Sequence, residues 1–291
     1  NVSIMYADSE LILNADGSVF HLHLLPEQIS DKIILVGDQN RVDLVASYFD
    51  TIECRVENRE FRTVTGTYNG KRLTVLSTGI GTDNIDIVLT ELDALVNIDL
   101  AKREDKAEKT SLSLVRIGTS GGLQEFVPEG TFVASEYSLG FDGLLNYYAD
   151  SERVIASDFS EEFIKQTGYS SKFAYPYVVK DSEELLSRIA ADDMVRGITI
   201  SAPGFYGPQG RAIRLPLADV DLNNKIINFD YKSHKITNFE MEGSAIAGLS
   251  AMLGHKALTI CLIIANRFGK RFIGDYKPYM EKLIKTVLDR I

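Results

Sequence analysis

Three side chains of different chemistry lie close together in residues 205–211. They are an aromatic ring at Phe205, an amide at Gln209 and a guanidinium at Arg211. A ring can stack on a flat heterocycle, and an amide can both donate and accept, as the edge of a pyrimidine requires. A guanidinium can donate to a carbonyl oxygen that gains negative charge during a reaction. A surface turn built on the Gly-Pro pair inside this segment would explain it equally well.

A second group of polar residues precedes a helical pattern at residues 239–242. It combines the carboxylates of Glu240 and Glu242 with the apolar side chain of Met241. Glu242 could accept hydrogen bonds from the hydroxyls of a sugar, with Met241 packed against the ring. Acidic residues are also favoured at helix N-termini by the helix dipole, so each carboxylate has a purely structural explanation as well.

Three glycine-rich segments follow strand-like runs, at residues 37–41, 78–81 and 116–122. Backbone N–H groups approach an anion closely where glycine is present, and a helix N-terminus adds a favourable dipole. Arg41 and Arg116 add forked donors that suit phosphate. Such turns are common in α/β folds, and none of the three matches the phosphate loop of nucleotide triphosphatases or the dinucleotide fingerprint.

Short apolar runs alternate with helical patterns, which predicts a largely parallel sheet covered by helices on both faces. The predicted strands are residues 32–36, 72–77, 113–117, 197–202 and 257–265. The predicted helices are residues 40–49, 83–96 and 242–253, the last ended by Gly254 at a C-cap position. Ligands bind beyond the carboxyl ends of the strands in such folds, where the glycine-rich segments lie. No shift in composition marks a linker, so one domain over residues 1–291 is predicted.

Composition excludes several classes of protein. The 291 residues are 45% hydrophobic and carry a net charge of −10, which argues against non-specific nucleic-acid binding. The two cysteines do not form a disulfide framework, and Cys261 lies in an apolar run that predicts a small buried side chain. Neither a membrane span nor a signal peptide is evident, so a cytoplasmic enzyme is expected.

Together these segments resemble the nucleoside phosphorylase-I family, and specifically its uridine phosphorylase branch. Eight motifs occur in the family's order: Val19-Phe20-His21-Leu22, Gly37-Asp38-x-x-Arg41, Arg59-Glu60-Phe61, Ser77-Thr78-Gly79-Ile80-Gly81, Arg116-Ile117-Gly118-Thr119-Ser120-Gly121, Phe205-x-x-x-Gln209-x-Arg211, Phe239-Glu240-Met241-Glu242 and Asn266-Arg267. The resemblance implies a single α/β domain after an N-terminal extension at residues 1–16. Its central sheet would be mixed, mostly parallel, twisted and partly closed as a barrel, with helices flanking it.

The resemblance also implies roles for individual residues. Phosphate would be held by Gly37, Arg41, Arg116 and Thr119, together with Arg59 from a neighbouring subunit. Ribose would be held by Thr119, Met241 and Glu242, together with His21 from the neighbour. The base would be held by Phe205, Gln209, Arg211, Glu240 and Arg267. Among these, the residues expected to carry catalysis are Arg116, Glu242, Gln209 and Arg211.

The implied assembly is a homo-oligomer built from dimers that share their sites, with a nucleoside and inorganic phosphate as partners. No nucleic acid, membrane or organic cofactor is expected. Some relatives bind a monovalent cation, such as structural K⁺, at the dimer interface, at positions that match Glu60, Ile80 and Asn84. A serine is usual at the position of Asn84, and this departure bears on the cation site.

The implied reaction is phosphorolysis of uridine, and of deoxyuridine or thymidine, to a free base and a pentose 1-phosphate. This is the chemistry of a pentosyltransferase in pyrimidine salvage. Purine-cleaving relatives place an Asp at the position of Asn266 to protonate the leaving base, and an amide cannot serve as that acid. The alternatives are a purine nucleoside phosphorylase or nucleosidase on the same fold, and a non-catalytic nucleoside-binding relative. A dinucleotide oxidoreductase would rest on the sheet pattern alone.

Overall fold

The computed structural model describes residues 4–291, so the first three residues of the expected N-terminal extension lie outside the described part. The strands found in it are β1 (Lys32–Val36), β2 (Thr51–Asn58), β3 (Phe61–Tyr68), β4 (Lys71–Ser77), β5 (Ile98–Asp99), β6 (Glu104–Asp105), β7 (Ser113–Gly122), β8 (Phe132–Gly140), β9 (Tyr177–Lys180), β10 (Val195–Ser201), β11 (Ile236–Glu240), β12 (Lys256–Asn266) and β13 (Arg271–Phe272). The α-helices are α1 (Gln39–Ala46), α2 (Thr82–Asn97), α3 (Ser157–Thr167), α4 (Glu183–Ile189), α5 (Leu222–Asn228), α6 (Gly243–Leu253) and α7 (Lys277–Arg290).

Five strands close into a ring, because β7 pairs with both β12 and β11. The ring runs β7, β12, β8, β10 and β11, and β7 also pairs with β1, from which β4, β3 and β2 continue as an open sheet. Pairings of β1 with β4 and β7, of β7 with β12, and of β10 with β8 and β11 are parallel. The edge strands β2, β9 and β13 join antiparallel. The expected single α/β domain with a mixed, partly barrel-like sheet is confirmed.

Helices cover the sheet on both faces and bury its apolar side chains. One apolar cluster joins α2 and α6 to the inner residues of β1, such as Ile33 and Leu35. Another joins α1, α4 and α7 to the opposite face, through Ile34 and Val36. This alternation along β1 follows from the two-residue repeat of a strand, and burial on both sides explains its continuous apolar sequence. Within residues 4–291, no helix is long and apolar enough to cross a membrane.

The glycine-rich segment after Arg116 is part of a strand and not the turn that the sequence predicts. β7 extends to Gly122, because its parallel partner β12 pairs with it from Ser113 through Gly122. Glycine is needed at residue 118 for space, since an added Cβ would lie 2.2 Å from Nη1 of Arg116. Gly118 therefore makes room for a side chain of its own strand, and Gly122 makes room for Asn266 of the neighbouring strand.

Candidate active site

Arg116 is the centre of a buried charge cluster where β7, the end of β11 and the start of α6 meet. Its Nη1 lies 3.3 Å from Glu240 Oε2, and its Nη2 lies 3.4 Å from Glu242 Oε2. Burial would lower the pKa of Arg116, but the two carboxylates outweigh it and raise the pKa above its ordinary value. Arg116 therefore stays charged, although it is only 5% exposed.

One donor of Arg116 has no acceptor. Its Nε is buried and has no hydrogen-bond partner among the described residues. A buried donor without a partner costs about 1–3 kcal/mol, so such a group is usually satisfied by a ligand or by water. The arginine thus retains capacity to donate to an anion while two carboxylates hold it in place.

Glu240 is tied to the N-terminus of α6. Its Oε2 accepts from the backbone N–H groups of Glu242 and Gly243, both at 2.8 Å, and its Oε1 accepts from the Ser201 hydroxyl. The helix dipole favours a carboxylate at this point. These contacts place Glu240 beside Arg116 and do not support the base contact expected for it.

The pKa of the Glu242 carboxyl group is raised above its ordinary value. Burial raises its pKa to about 7, helped by the nearby Glu240 carboxylate and opposed by Arg116 and by the backbone N–H of Gly81. Gly81 belongs to the turn between β4 and α2, so the second glycine-rich segment also reaches this cluster. A carboxyl group with this pKa exists in both protonation states near neutral pH.

Cys261 contacts Arg116, a contact that the sequence reasoning missed. Nη1 of Arg116 donates to its Sγ at 3.6 Å, and burial raises the pKa of the thiol to about 12. The expected burial of Cys261 is confirmed. Its contact follows from the register of β12 on β7, in which Cys261 pairs with Gly118, and no local pattern in the sequence reveals that register.

The side chains of residues 205–211 form a second cluster. Nη1 of Arg211 donates to Gln209 Oε1 and to the Phe205 carbonyl, both at 2.7 Å. The guanidinium carbon lies 4.1 Å from the centroid of the Phe205 ring, a cation–π distance. Gln209 is 3% exposed, whereas Phe205 is 50% exposed. Partial burial lowers the pKa of Arg211.

Arg267 joins this cluster from the end of β12. Its Nη2 donates to the Gln209 carbonyl, and its guanidinium carbon lies 5.8 Å from the centroid of the Phe239 ring. Burial, with a contribution from the nearby Arg211, lowers the pKa of Arg267 to about 10. A cavity of about 160 Å³ lies between Arg211, Arg267, Phe239 and Gly121.

The two clusters adjoin each other through β7 and β11. Gly121 is on the same strand as Arg116, and a Cβ added there would lie 3.9 Å from Nη2 of Arg211. Phe239, which contacts Arg267, directly precedes Glu240 on β11. Thr119 lies between the clusters on β7 and is partly exposed. Arg211 therefore lies beside the strand that carries Arg116, and Arg267 lies beside the strand that carries Glu240.

The remaining predicted phosphate residues lie at the carboxyl end of β1. Leu35 of β1 pairs with Arg116, so Gly37 emerges beside β7 at the same edge of the sheet. No atom of residues 4–291 lies within 4 Å of a Cβ added at Gly37, which leaves open space there. Arg41 lies in the first turn of α1, with Asp38 3.7 Å from its Nη2. Met241 follows Glu240 and is partly buried.

His21 and Arg59 lie together elsewhere on the chain. His21 Nδ1 is 2.6 Å from Glu91 Oε2, and the Arg59 guanidinium carbon is 6.0 Å from the centroid of the Phe20 ring. The rings of Phe20 and His21 are in edge contact. Within the described chain, no hydrogen bond or ion pair of either side chain reaches Arg116 or Gln209. The backbone of Arg59 does reach the start of α1, because its carbonyl accepts from Nε2 of Gln39 at 2.8 Å.

Two of the three residues expected to bind a monovalent cation contact each other within one copy. Nδ2 of Asn84 donates to Glu60 Oε1 at 3.3 Å and to the Thr78 carbonyl at 3.0 Å. Ile80 is 69% exposed. Hard cations need oxygen lone pairs, and here an amide N–H group is directed at both of these oxygens. Within one copy, the Asn84 amide therefore competes with a cation for both oxygens.

The chain is similar to known proteins of one family. A family model described as the phosphorylase superfamily matches residues 31–287. The chain is similar to a uridine phosphorylase of Thermococcus kodakarensis, with 26% identity over 92% of this chain and 84% of the relative. It is also 26% identical to a DeoD-type purine nucleoside phosphorylase of Streptococcus suis, over 84% of each chain. A solved Trypanosoma brucei nucleoside phosphorylase, described as showing uridine phosphorylase activity, has a TM-score of 0.87 and 30% identity, covering 97% of this chain and 99% of that one.

Proposed function

The chain belongs to the phosphorylase superfamily and is a pentosyltransferase that catalyses nucleoside phosphorolysis, and we propose that its substrate is uridine. The products are uracil and ribose 1-phosphate, with deoxyuridine and thymidine as further substrates. This activity assigns the enzyme to pyrimidine salvage. A uridine phosphorylase and a purine nucleoside phosphorylase are both similar to the chain, so similarity does not decide which base is cleaved. The choice of uridine therefore rests on the residues that we assign to the base.

The observation that carries the choice of base is the pair formed by the buried Gln209 and the partly buried Arg211. Nη1 of Arg211 is committed to Gln209 and Phe205, while its Nη2 faces Gly121 at the small cavity. A carbonyl of a leaving pyrimidine placed there would gain negative charge as the glycosidic bond breaks, and a fixed guanidinium donor stabilises such charge. Gln209 adds an amide that can match the edge of the base once it turns from Gly204.

The phosphate is proposed to bind between Arg116 and the start of α1. Arg116 has a buried donor without a partner, and Gly37 borders open space at a helix N-terminus. Arg41 and Thr119 complete this set within one copy. Arg59 and His21 of a neighbouring copy would add to it in a homo-oligomer built from dimers. No organic cofactor takes part in this scheme. The amide of Asn84 contacts two oxygens that could otherwise bind a cation.

In the proposed reaction a phosphate oxygen forms a bond to C1′ of the ribose while the bond from C1′ to N1 of uracil breaks. The electron pair of that bond leaves with the base. The transition state resembles an oxocarbenium ion, so no nucleophilic side chain is needed. Glu242 holds the sugar hydroxyls, and the residues of the chain position two substrates and stabilise separated charge.

The test is incubation of the protein with uridine, with and without inorganic phosphate, followed by the absorbance change on release of uracil. Parallel reactions contain thymidine or inosine. We expect release of uracil that requires phosphate, with inosine cleaved much more slowly. Release without phosphate would identify a nucleosidase, faster cleavage of inosine would identify a purine enzyme, and binding without turnover would identify a non-catalytic relative.

A further inference from the structure

We propose that Asn266 is a positioning residue that holds Arg267 against Gln209 and thereby fixes the position of a residue assigned to bind the base. This inference deepens the proposed function, and the part of its test that uses uridine kinetics rests on that function. It starts from an unusual observation: one buried side chain amide makes four hydrogen bonds, and all of its partners are backbone groups.

The four bonds use the full hydrogen-bonding capacity of the amide. Nδ2 of Asn266 donates to the carbonyls of Gln124 at 3.0 Å and Val127 at 2.9 Å. Its Oδ1 accepts from the backbone N–H groups of Phe268 at 2.8 Å and Gly269 at 3.3 Å. Because carbonyls only accept and N–H groups only donate, the orientation of the amide is fixed by its partners.

These bonds join two turns that follow the ends of the paired strands β7 and β12. One turn follows β7 and contains Gln124 and Val127, and the other follows β12 and contains Phe268. Asn266 ends β12 opposite Gly122, and a Cβ added at Gly122 would lie 2.7 Å from its Nδ2. The amide is 6% exposed and is packed against the strand that carries Arg116.

The four hydrogen bonds of Asn266, called the Asn266 clamp below, fix the position of the next residue, Arg267. Its backbone N–H donates to the Gly122 carbonyl at 3.2 Å, and its side chain reaches the Gln209 carbonyl. Asn223 donates to the same Gln209 carbonyl at 3.1 Å. The position of Gln209 thus depends on Arg267, and the position of Arg267 depends on the residue directly before it in the chain.

A carboxylate cannot replace this amide, although it has the same shape. An Asp at this position would direct an oxygen at the carbonyls of Gln124 and Val127, at distances where only a donor is stable. The protonated acid could donate to one of them, so burial and the carbonyls would raise the pKa of the introduced carboxyl. The clamp would then hold at low pH and open as the carboxyl ionises.

The experiment compares the parent enzyme, Asn266→Asp, Asn266→Ala and the control Asn228→Asp between pH 5.5 and 8.5. Asn228 is exposed. For Asn266→Asp we expect kcat/KM for uridine, relative to the parent, to fall about tenfold for each pH unit above the pKa of the new carboxyl. The KM for phosphate should stay near the parent value, because the clamp acts on the base side. Asn266→Ala should lose uridine affinity at every pH, and Asn228→Asp should follow the parent.

The midpoint of thermal unfolding of each protein is measured over the same pH range and also down to pH 4. A carboxyl whose pKa is raised in the folded state binds more protons in that state, so the stability of Asn266→Asp should decline with rising pH relative to the parent. If the parent does not cleave uridine, the proposed function is rejected and this midpoint alone decides the clamp. Parallel pH profiles for Asn266→Asp and the parent, in activity or in stability, would overturn the inference.

Discussion

The two halves of the active site are built differently. The Arg116 cluster consists of charged side chains on strands and at a helix N-terminus, and each of its three members is no more than 6% exposed on its side chain. The Arg211 cluster lies on the segment between β10 and α5 and is held largely by backbone carbonyls, with Phe205 half-exposed. The first half is fixed by the fold, and the second half is fixed by a loop.

This difference matches the tasks that we assign to the halves. Phosphate and a pentose take part in every one of the proposed reactions, so the residues that hold them can be part of the core. The base varies between substrates, and loops can change without disturbing the sheet. We therefore expect substitutions in the Arg116 cluster to reduce both stability and turnover, and substitutions in the Arg211 cluster to reduce turnover alone.

The largest effect is expected for Arg116→Met. This change leaves the carboxylates of Glu240 and Glu242 buried without their cation, which should lower the free energy of unfolding by about 3–5 kcal/mol and abolish turnover. Urea denaturation measures the loss. The matched control is Arg196→Met, whose 3.5 Å ion pair with Glu183 is exposed, so that its loss should cost at most about 1 kcal/mol. Equal losses in the two variants would contradict the distinction.

Arg211→Ala should reduce kcat for uridine by about 100-fold to 1000-fold, because one donor to the developing base anion is lost. The free energy of unfolding should change much less than in Arg116→Met, since Arg211 is only partly buried. Steady-state kinetics and urea denaturation on the same preparation provide both numbers. Near-normal cleavage of uridine by this variant would reject the assignment of the base side.

Glu242 predicts a dependence of stability on pH. Its pKa is raised to about 7 by burial, so the folded state binds a proton that the unfolded state releases at lower pH. The contribution of Glu242 to stability is therefore complete below its ordinary pKa of about 4.5 and declines as the pH rises towards 7. The free energy of unfolding of Glu242→Gln, measured from pH 4.5 to 7.5, should lack this part of the decline. Identical dependence of the free energy of unfolding on pH in the variant and the parent would contradict the raised pKa of Glu242.

The smallest effect concerns the neighbourhood of Asn84, outside both clusters. Because its amide N–H group is directed at Glu60 and at the Thr78 carbonyl, uridine cleavage and the thermal midpoint should not respond when K⁺ is exchanged for a bulky organic cation at equal ionic strength. Asn84→Ser removes the amide and serves as the matched variant. A requirement of the parent for K⁺ would show that the amide does not take the place of a cation.

Local patterns in the sequence predicted the elements that have strong local signals. β1 has the predicted bounds, and the predicted helix at residues 83–96 extends by one residue at each end in α2. The motifs at residues 116–122, 205–211 and 239–242 contain most of the side chains that form the two clusters. The antiparallel strands β2 and β3 were not predicted. β2 alternates apolar and polar residues over residues 52–57, a strand signal that the sequence reasoning missed, whereas β3 follows no such alternation.

What the sequence could not predict depends on strand pairing. The extension of β7 through its glycines and the contact between Cys261 and Arg116 both follow from the register of β12 on β7. The bonds of Glu240 to the start of α6 depend on backbone geometry. The bonds of Asn266 join segments that are distant in the chain. Residue types at short spacing indicate chemistry, but partners across a sheet are set by tertiary structure.

The central claim is that one nucleoside and one phosphate bind across both clusters. The most direct measurement is a crystal structure of the protein with uracil and ribose 1-phosphate. We predict that uracil lies within hydrogen-bond distance of Arg211, the ribose hydroxyls on Glu242 and the phosphate on Arg116. Ligands bound away from these three side chains, or a base turned away from Arg211, would contradict the account.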